Sequence, residues 1–256
     1  MLISSTWQII PDETVTLPRS YSLALGKELH QRMGLSLGTE KIPSTTFAGL
    51  LGRHDGAGDF VSLSPEETYQ FSLCGLSEQS GKAIASLDLG EKLSFLGGTF
   101  RVCDRIDEKT SYEELYTTLV ANDPEPVREF SLQFLTPTAF ASRKLDLPLP
   151  IPASMFQSWL NRWNHFAPVY LGSDELIGYL SNSVALKKHN IITRPYQLPR
   201  GYAIGFVGDV TLHTLTRTDS LLANVAHLLV QYSRFSGTGM KTRLGMGKVC
   251  LSADRS

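Results

Sequence analysis

The chain has 256 residues, with 24 Lys and Arg against 25 Asp and Glu, a formal net charge of −1, and 42% hydrophobic and 19% charged residues. This reads as a soluble globular chain with room for one large or two ordinary domains, and no apolar run approaches the roughly 20 residues of a membrane span. The opening MLISSTWQIIPDE has no basic n-region or small-residue cleavage site, and Cys74, Cys103 and Cys250 are odd in number and far apart; no secretory signal, disulfide framework or zinc site is expected, and a cytoplasmic location is.

In chain order, STWQIIPDETVTLP has the β-branched and aromatic content of a strand ending at Pro18. RSYSLALGKELHQRMG then predicts a helix, with Leu25, Leu29 and Met33 at i, i+4 and i+8 and Gly34 as its stop. Strands fit TTFAGLL, TYQFSLCGL and KLSFLGGTFRVCDRI, and a second helix fits SYEELYTTLVA. ANDPEPV, with two prolines and no apolar period, suits a linker.

After the linker the order repeats. EFSLQFLTPTAF reads as a strand, and PASMFQSWLNRWNHF as a helix with Phe156, Trp159, Leu160 and Trp163 on one side. GYAIGFVGDVTLHTLT is a glycine-broken strand, SLLANVAHLLVQYSRF a helix capped by Ser220 or Asp219, and GKVCLSA a closing strand. The expectation is an α+β chain of two tandem ferredoxin-like (RRM-like) domains, residues 1–122 and 127–256.

The even charge balance hides an asymmetry. Residues 1–126 carry 10 basic and 18 acidic side chains, a net −8, and residues 127–256 carry 14 and 7, a net +7. One half therefore suits a polyanion. Within it, RFSGTGMKTRLGMGKV sets Gly237, Gly239, Gly245 and Gly247 around Lys241, Arg243 and Lys248. Exposed amides beside cations bind anions, whereas the same glycines also permit tight packing. The stretch is no Walker A loop, because Val249 follows Gly247-Lys248, and it joins helix to strand rather than strand to helix, against a dinucleotide fingerprint.

GTGMKTRLGMGKV resembles the C-terminal glycine-rich loop of the CRISPR-associated repeat-cleaving endoribonucleases, within the repeat-associated mysterious protein superfamily. FLTPTAF, PIPASMFQSWLNRWNHFAP and GYAIGFVGDVTL resemble that family's neighbouring segments, in the same order over most of residues 130–250. The resemblance implies paired ferredoxin-like domains, no cofactor and no metal. It also implies cleavage of CRISPR repeat RNA, hairpin or not, to a 2′,3′-cyclic phosphate and a 5′-hydroxyl. The loop glycines and Lys241, Arg243 and Lys248 would then meet RNA phosphates. The competing expectation is a non-catalytic RNA-binding subunit of an effector complex in the same superfamily. Both a monomer and a homodimer fit.

Metal-free cleavage needs proton carriers, a role suited to histidine. The resemblance points to His30 in ELHQRM on the first helix, with Lys27 on the same face; a buried, satisfied histidine is the alternative. His54, beside Asp55 in a glycine-rich turn, is the second candidate. Tyr21, Arg32 and Lys41 are possible assistants, unranked by sequence. His165, His213 and His227 read as structural. The basic stretch KKHNIITRPYQLPR, with Lys187, Lys188, His189, Arg194 and Arg200, reads as an RNA contact or a solvated basic loop.

Overall fold

The structure, a computed structural model, describes residues 1–35, 38, 40–56, 58–142, 145–198 and 200–251. In the first half β1 (Leu2–Pro11) and β2 (Val15–Pro18) precede α1 (Tyr21–Arg32), β3 (Thr45–Leu51), β4 (Phe60–Leu63), β5 (Tyr69–Gly75), α2 (Glu78–Ala85), β6 (Lys92–Phe95) and β7 (Gly98–Thr110). The main sheet runs β3-β5-β1-β7-β6, antiparallel throughout, while β2 and β4 form a separate pair. Taking β1, α1, β3, β5, α2 and β7 as the unit, this is the βαββαβ order of a ferredoxin-like domain.

Three expectations need correction here. STWQIIPDETVTLP is two strands in different sheets, because Asp12, Glu13 and Thr14 turn the chain out of β1. KLSFLGGTFRVCDRI folds back on itself as the β6–β7 hairpin through Leu96 and Gly97, both at positive φ. The domain's second helix is α2, started by a reciprocal Ser77–Ser80 capping box. SYEELYTTLVA lies outside that unit, as α3 (Tyr112–Tyr116) continued by a π turn at Thr117–Ala121.

Period-two alternation on β1 puts Ile3, Trp7 and Ile9 under α1 and α2, with Trp7 stacked on Phe71 at 5.3 Å. The opposite face of this sheet is small and polar, and Ser4, Thr46, Ala48, Ser72 and Cys74 are nonetheless buried there. What covers them comes from the second half.

That half contains β8 (Glu129–Thr138), β9 (Phe140–Ser142), β10 (Leu145–Leu147), α4 (Pro152–Phe166), α5 (Asp174–Ser183), β11 (Val184–Gln197), β12 (Tyr202–Thr214), α6 (Ser220–Ser236) and β13 (Val249–Leu251). Its sheet runs β11-β12-β8-β13, a second ferredoxin-like arrangement. As the periodicity predicts, Phe156, Trp159, Leu160 and Trp163 of α4 are buried. Asp219 caps α6, accepting from the amides of Leu221 and Leu222 at 2.9 and 3.3 Å.

The last turn of α6 seats on the small-residue face of the first sheet, where the Thr46 hydroxyl donates to Phe235 O at 2.9 Å. Leu2, Leu76, Tyr112 and Val120 complete the second hydrophobic core, and the Tyr112 hydroxyl donates to Leu76 O at 2.8 Å. The two halves are thus joined by a seam in which apolar residues of the first half enter the second core. Among the described residues no helix is long and apolar enough to cross a membrane.

Candidate nucleic-acid interface

The glycine-rich loop leaves α6 at Gly237 and returns to the sheet at β13. Its four glycines all have positive φ. At three of them a side chain is impossible without movement: a Cβ would lie 2.2 Å from Ala139 O at Gly239, 2.0 Å from the Tyr196 hydroxyl at Gly245 and 2.1 Å from Thr238 O at Gly247. Gly237, Gly245 and Gly247 are buried.

The loop's amides are directed inward. Thr238 donates to Gly247 O, Gly239 to Ser158 Oγ, Met240 to Ala139 O, Gly247 to Pro137 O and Lys248 to Thr136 Oγ1, all at 2.8–3.1 Å. The expected cradle of free amides is therefore corrected over these positions. The glycines allow a knot that satisfies its own donors, as buried amides require. Arg162 of α4 clamps the knot, donating to Gly239 O at 2.7 Å and to Thr242 Oγ1 at 3.4 Å.

The loop's cations have separate fates. Arg243 reaches Glu40 of the first domain, 3.3 Å from its carbonyl and 3.9 Å from its carboxylate. Lys248 is half-buried, its Nζ 3.5 Å from Arg234 O at the C-terminal end of α6, where positive charge is favoured. Lys241, held at φ +57, makes no ion pair among the described residues.

A 3-10 turn at Thr242–Leu244 packs on β3 and α1, so the knot closes the junction between the domains. Tyr196, at the end of β11, donates to Leu244 O at 2.7 Å, and Tyr21 donates to Leu50 O at 3.3 Å. Burial raises the Tyr196 pKa to about 12, and burial together with the nearby Tyr196 raises that of Tyr21 further, so both remain protonated donors.

His30 does not face this junction as a free base. It is 2% exposed, with Nδ1 2.7 Å from Gly26 O and Nε2 3.0 Å from Thr45 Oγ1. A carbonyl accepts only, so Nδ1 carries the hydrogen and Nε2 accepts from the threonine hydroxyl. Burial lowers its pKa against a smaller opposing effect of the Gly26 carbonyl. The pairing of His30 with Lys27 is corrected likewise, since Lys27 is exposed while His30 ties α1 to β3. His54 is exposed in its turn, with Nδ1 3.1 Å from Gly52 O. Arg32 pairs with Glu28 at 2.8 Å, and Lys41 is exposed beside α4.

KKHNIITRPYQLPR, expected as a basic loop, is mostly the edge strand β11. Lys187, Lys188, His189, Arg194 and Arg200 are all exposed or half-exposed. Lys187 pairs with Glu129. Lys188 lies opposite Thr211 and Arg194 opposite Gly205, so the basic groups spread along a hairpin instead of clustering. Its far end, through Arg200, extends beyond the span of β12 paired with β8. Sequence reasoning passed over Arg162 and Tyr196, because their value depends on burial under the loop, which no local pattern encodes. Among the described residues no three His, Cys, Asp or Glu side chains gather as a metal set.

Two ferredoxin-like sheets joined by a glycine knot and flanked by a basic hairpin define a double ferredoxin-like protein. Residues 132–249, covering most of the second domain, match the family model of the CRISPR-associated endoribonuclease Cas6. Cas6 of Mycobacterium tuberculosis is 30% identical over 122 residues, 48% of this chain and 38% of that protein. Cas6 of Streptococcus thermophilus is 27% identical over 133 residues, 52% of this chain and 54% of that protein. The matches thus span roughly two fifths to half of these relatives' length. A solved Cas6 product complex superposes with a TM-score of 0.74 at 21% identity, over 98% of this chain and 100% of that one, a likeness of fold.

Proposed function

We propose that this chain is an endoribonuclease that cuts CRISPR repeat RNA within each repeat without a metal. The 2′-hydroxyl attacks the adjacent phosphate and the 5′-oxygen leaves, giving a 2′,3′-cyclic phosphate and a 5′-hydroxyl. The carrying observation is the Cas6 match over the domain that holds the glycine knot. The exposed Lys188, Arg194 and Arg200 of the hairpin and Lys241 of the loop supply phosphate contacts, which hold RNA through charge. The solvent-facing His54 transfers the proton, and the exposed Lys27 is the cation for the pentavalent phosphate. His30 positions α1.

A second reading has its own support. The first-helix histidine is neutral and both its nitrogens are occupied, which fits a subunit that holds guide RNA without cutting it. One assay separates the two: the host array's repeat RNA is incubated with wild type, His30→Ala and His54→Ala in EDTA, and the 5′ fragment is tested for a cyclic phosphate. The nuclease reading expects one cut per repeat and a loss of about 10²-fold or more in His54→Ala. Binding without a cut selects the second reading, and cleavage abolished by EDTA removes the metal-free chemistry.

A further inference from the structure

On the α4 side of the knot, a cleft of about 820 Å³ opens between α4 and the first domain's Lys41–Ile42 segment, with Gly239 and Met240 of the knot in its wall. This lies within the size range of small-ligand sites. Its cationic lining is Lys41 and Arg162, with the imidazole of His165 beside them and no carboxylate among the described residues, although residues 1–126 carry a net −8.

Arg162 is the unusual member. It is only 8% exposed, its Nε has no hydrogen-bond partner, and no carboxylate pairs with it among the described residues. Its Nη atoms donate to Ser158, Gly239 and Thr242, all neutral. A buried guanidinium without a counter-ion is costly, and an anion entering the cleft would offset that cost.

Beside this charge stands a base-reading element. Gln157 Nε2 donates to Asn161 Oδ1 at 2.9 Å, one helical turn apart. That bond orients the two amides and leaves the Gln157 carbonyl free to accept and the Asn161 amino group free to donate. One acceptor and one donor on the same helix face suit the edge of an unpaired base. Ile42 and Met240 give the base an apolar surface.

We propose that this cleft takes one unpaired nucleotide of the RNA, its phosphate drawn by Lys41, His165 and the buried charge of Arg162, its base edge read by the Gln157–Asn161 pair. The inference rests on the RNA reading above and adds a specificity site to it.

The test measures binding of the host array's repeat RNA, and of a series with one abasic position at a time, to wild type and to Gln157→Ala/Asn161→Ala. We expect one abasic position to weaken wild-type binding about tenfold. The double variant should bind intact RNA about tenfold more weakly, ignore that abasic position, and keep the wild-type salt dependence and thermal midpoint. Lys41→Ala should reduce the slope of log K against log salt by about one. Wild-type affinity in the double variant, or an unchanged abasic profile, overturns the cleft assignment while the RNA reading stands. No wild-type binding of intact RNA at moderate salt overturns both, and is seen before any variant is compared.

Discussion

The two most basic stretches of this chain are built in opposite ways. The glycine-rich loop turns its amides inward, buries three of its four glycines and ties Arg243 and Lys248 to neighbouring groups. The β11–β12 hairpin leaves its cations in solvent along an edge strand, with Lys187 paired to a carboxylate. Similar composition therefore serves two purposes: the loop fixes where the domains stand relative to each other, and the hairpin presents charge. Substitutions in the loop should act first on stability, and those in the hairpin on affinity.

The largest effect is expected at Gly247→Ala, which places a Cβ against Thr238 O at a left-handed φ. A loss of about 3 kcal/mol or more follows from backbone strain and overpacking, lowering the thermal midpoint by on the order of 10 °C. A variant that melts like wild type but loses RNA would return the loop to the role of an open cradle.

His30→Ala should cost about 2–3 kcal/mol, because Thr45 and the Gly26 carbonyl lose a buried partner. Chemical denaturation measures this; loss of cleavage at unchanged stability would instead make His30 catalytic.

The triple variant Lys188→Ala/Arg194→Ala/Arg200→Ala should leave the midpoint within about 1 °C while reducing the salt slope of RNA binding by about 2–3. An unchanged slope would remove the hairpin from the RNA path. Tyr196→Phe, which deletes one bond to the knot, should cost only about 1 kcal/mol.

The smallest effect concerns acid. Burial depresses the pKa of both His30 and His227 below the ordinary 6.5. Their neutral forms stabilise the fold fully above that value, and this stability is lost as pH falls from about 6.5 through the folded-state values. The midpoint should drop between pH 7.5 and pH 5.5, and less so in His30→Gln. An identical acid response in that variant would show that His30 does not titrate with unfolding.

What could be read from the sequence was whatever had a long period or a clear cap. α1, α4 and α6 announce themselves by apolar spacing and, for α6, by Asp219, and the paired ferredoxin-like plan follows from their order among the strands. α2 is only eight residues with Ile84 as its one large apolar side chain, and α5 follows Gly172 and Ser173, so neither offers a strong period. β11 is largely exposed on both faces and therefore shows no alternation, which is why it reads as a loop.

The site was less legible than the fold. Spacing places His30 at the flank of the apolar stripe, but β3 crossing beneath it, with Thr45 as partner, makes it a buried tie. Arg162 is one turn beyond Ser158 in an ordinary amphipathic helix, and only the glycine knot folding over it turns it into an unpaired buried charge. Such assignments depend on contacts between distant segments, and a single sequence does not print them.

The apolar seam has a consequence for the chain's covalent continuity. Leu2 and Leu76 belong to the first sheet's half yet lie in the second core, and α6 covers the first sheet's polar face. The six residues from Asp123 to Arg128, which carry no regular structure, are therefore not what holds the halves together. A single proteolytic nick there should yield two fragments that co-elute as a noncovalent heterodimer, whereas either half made alone would expose its share of the seam and seek the other.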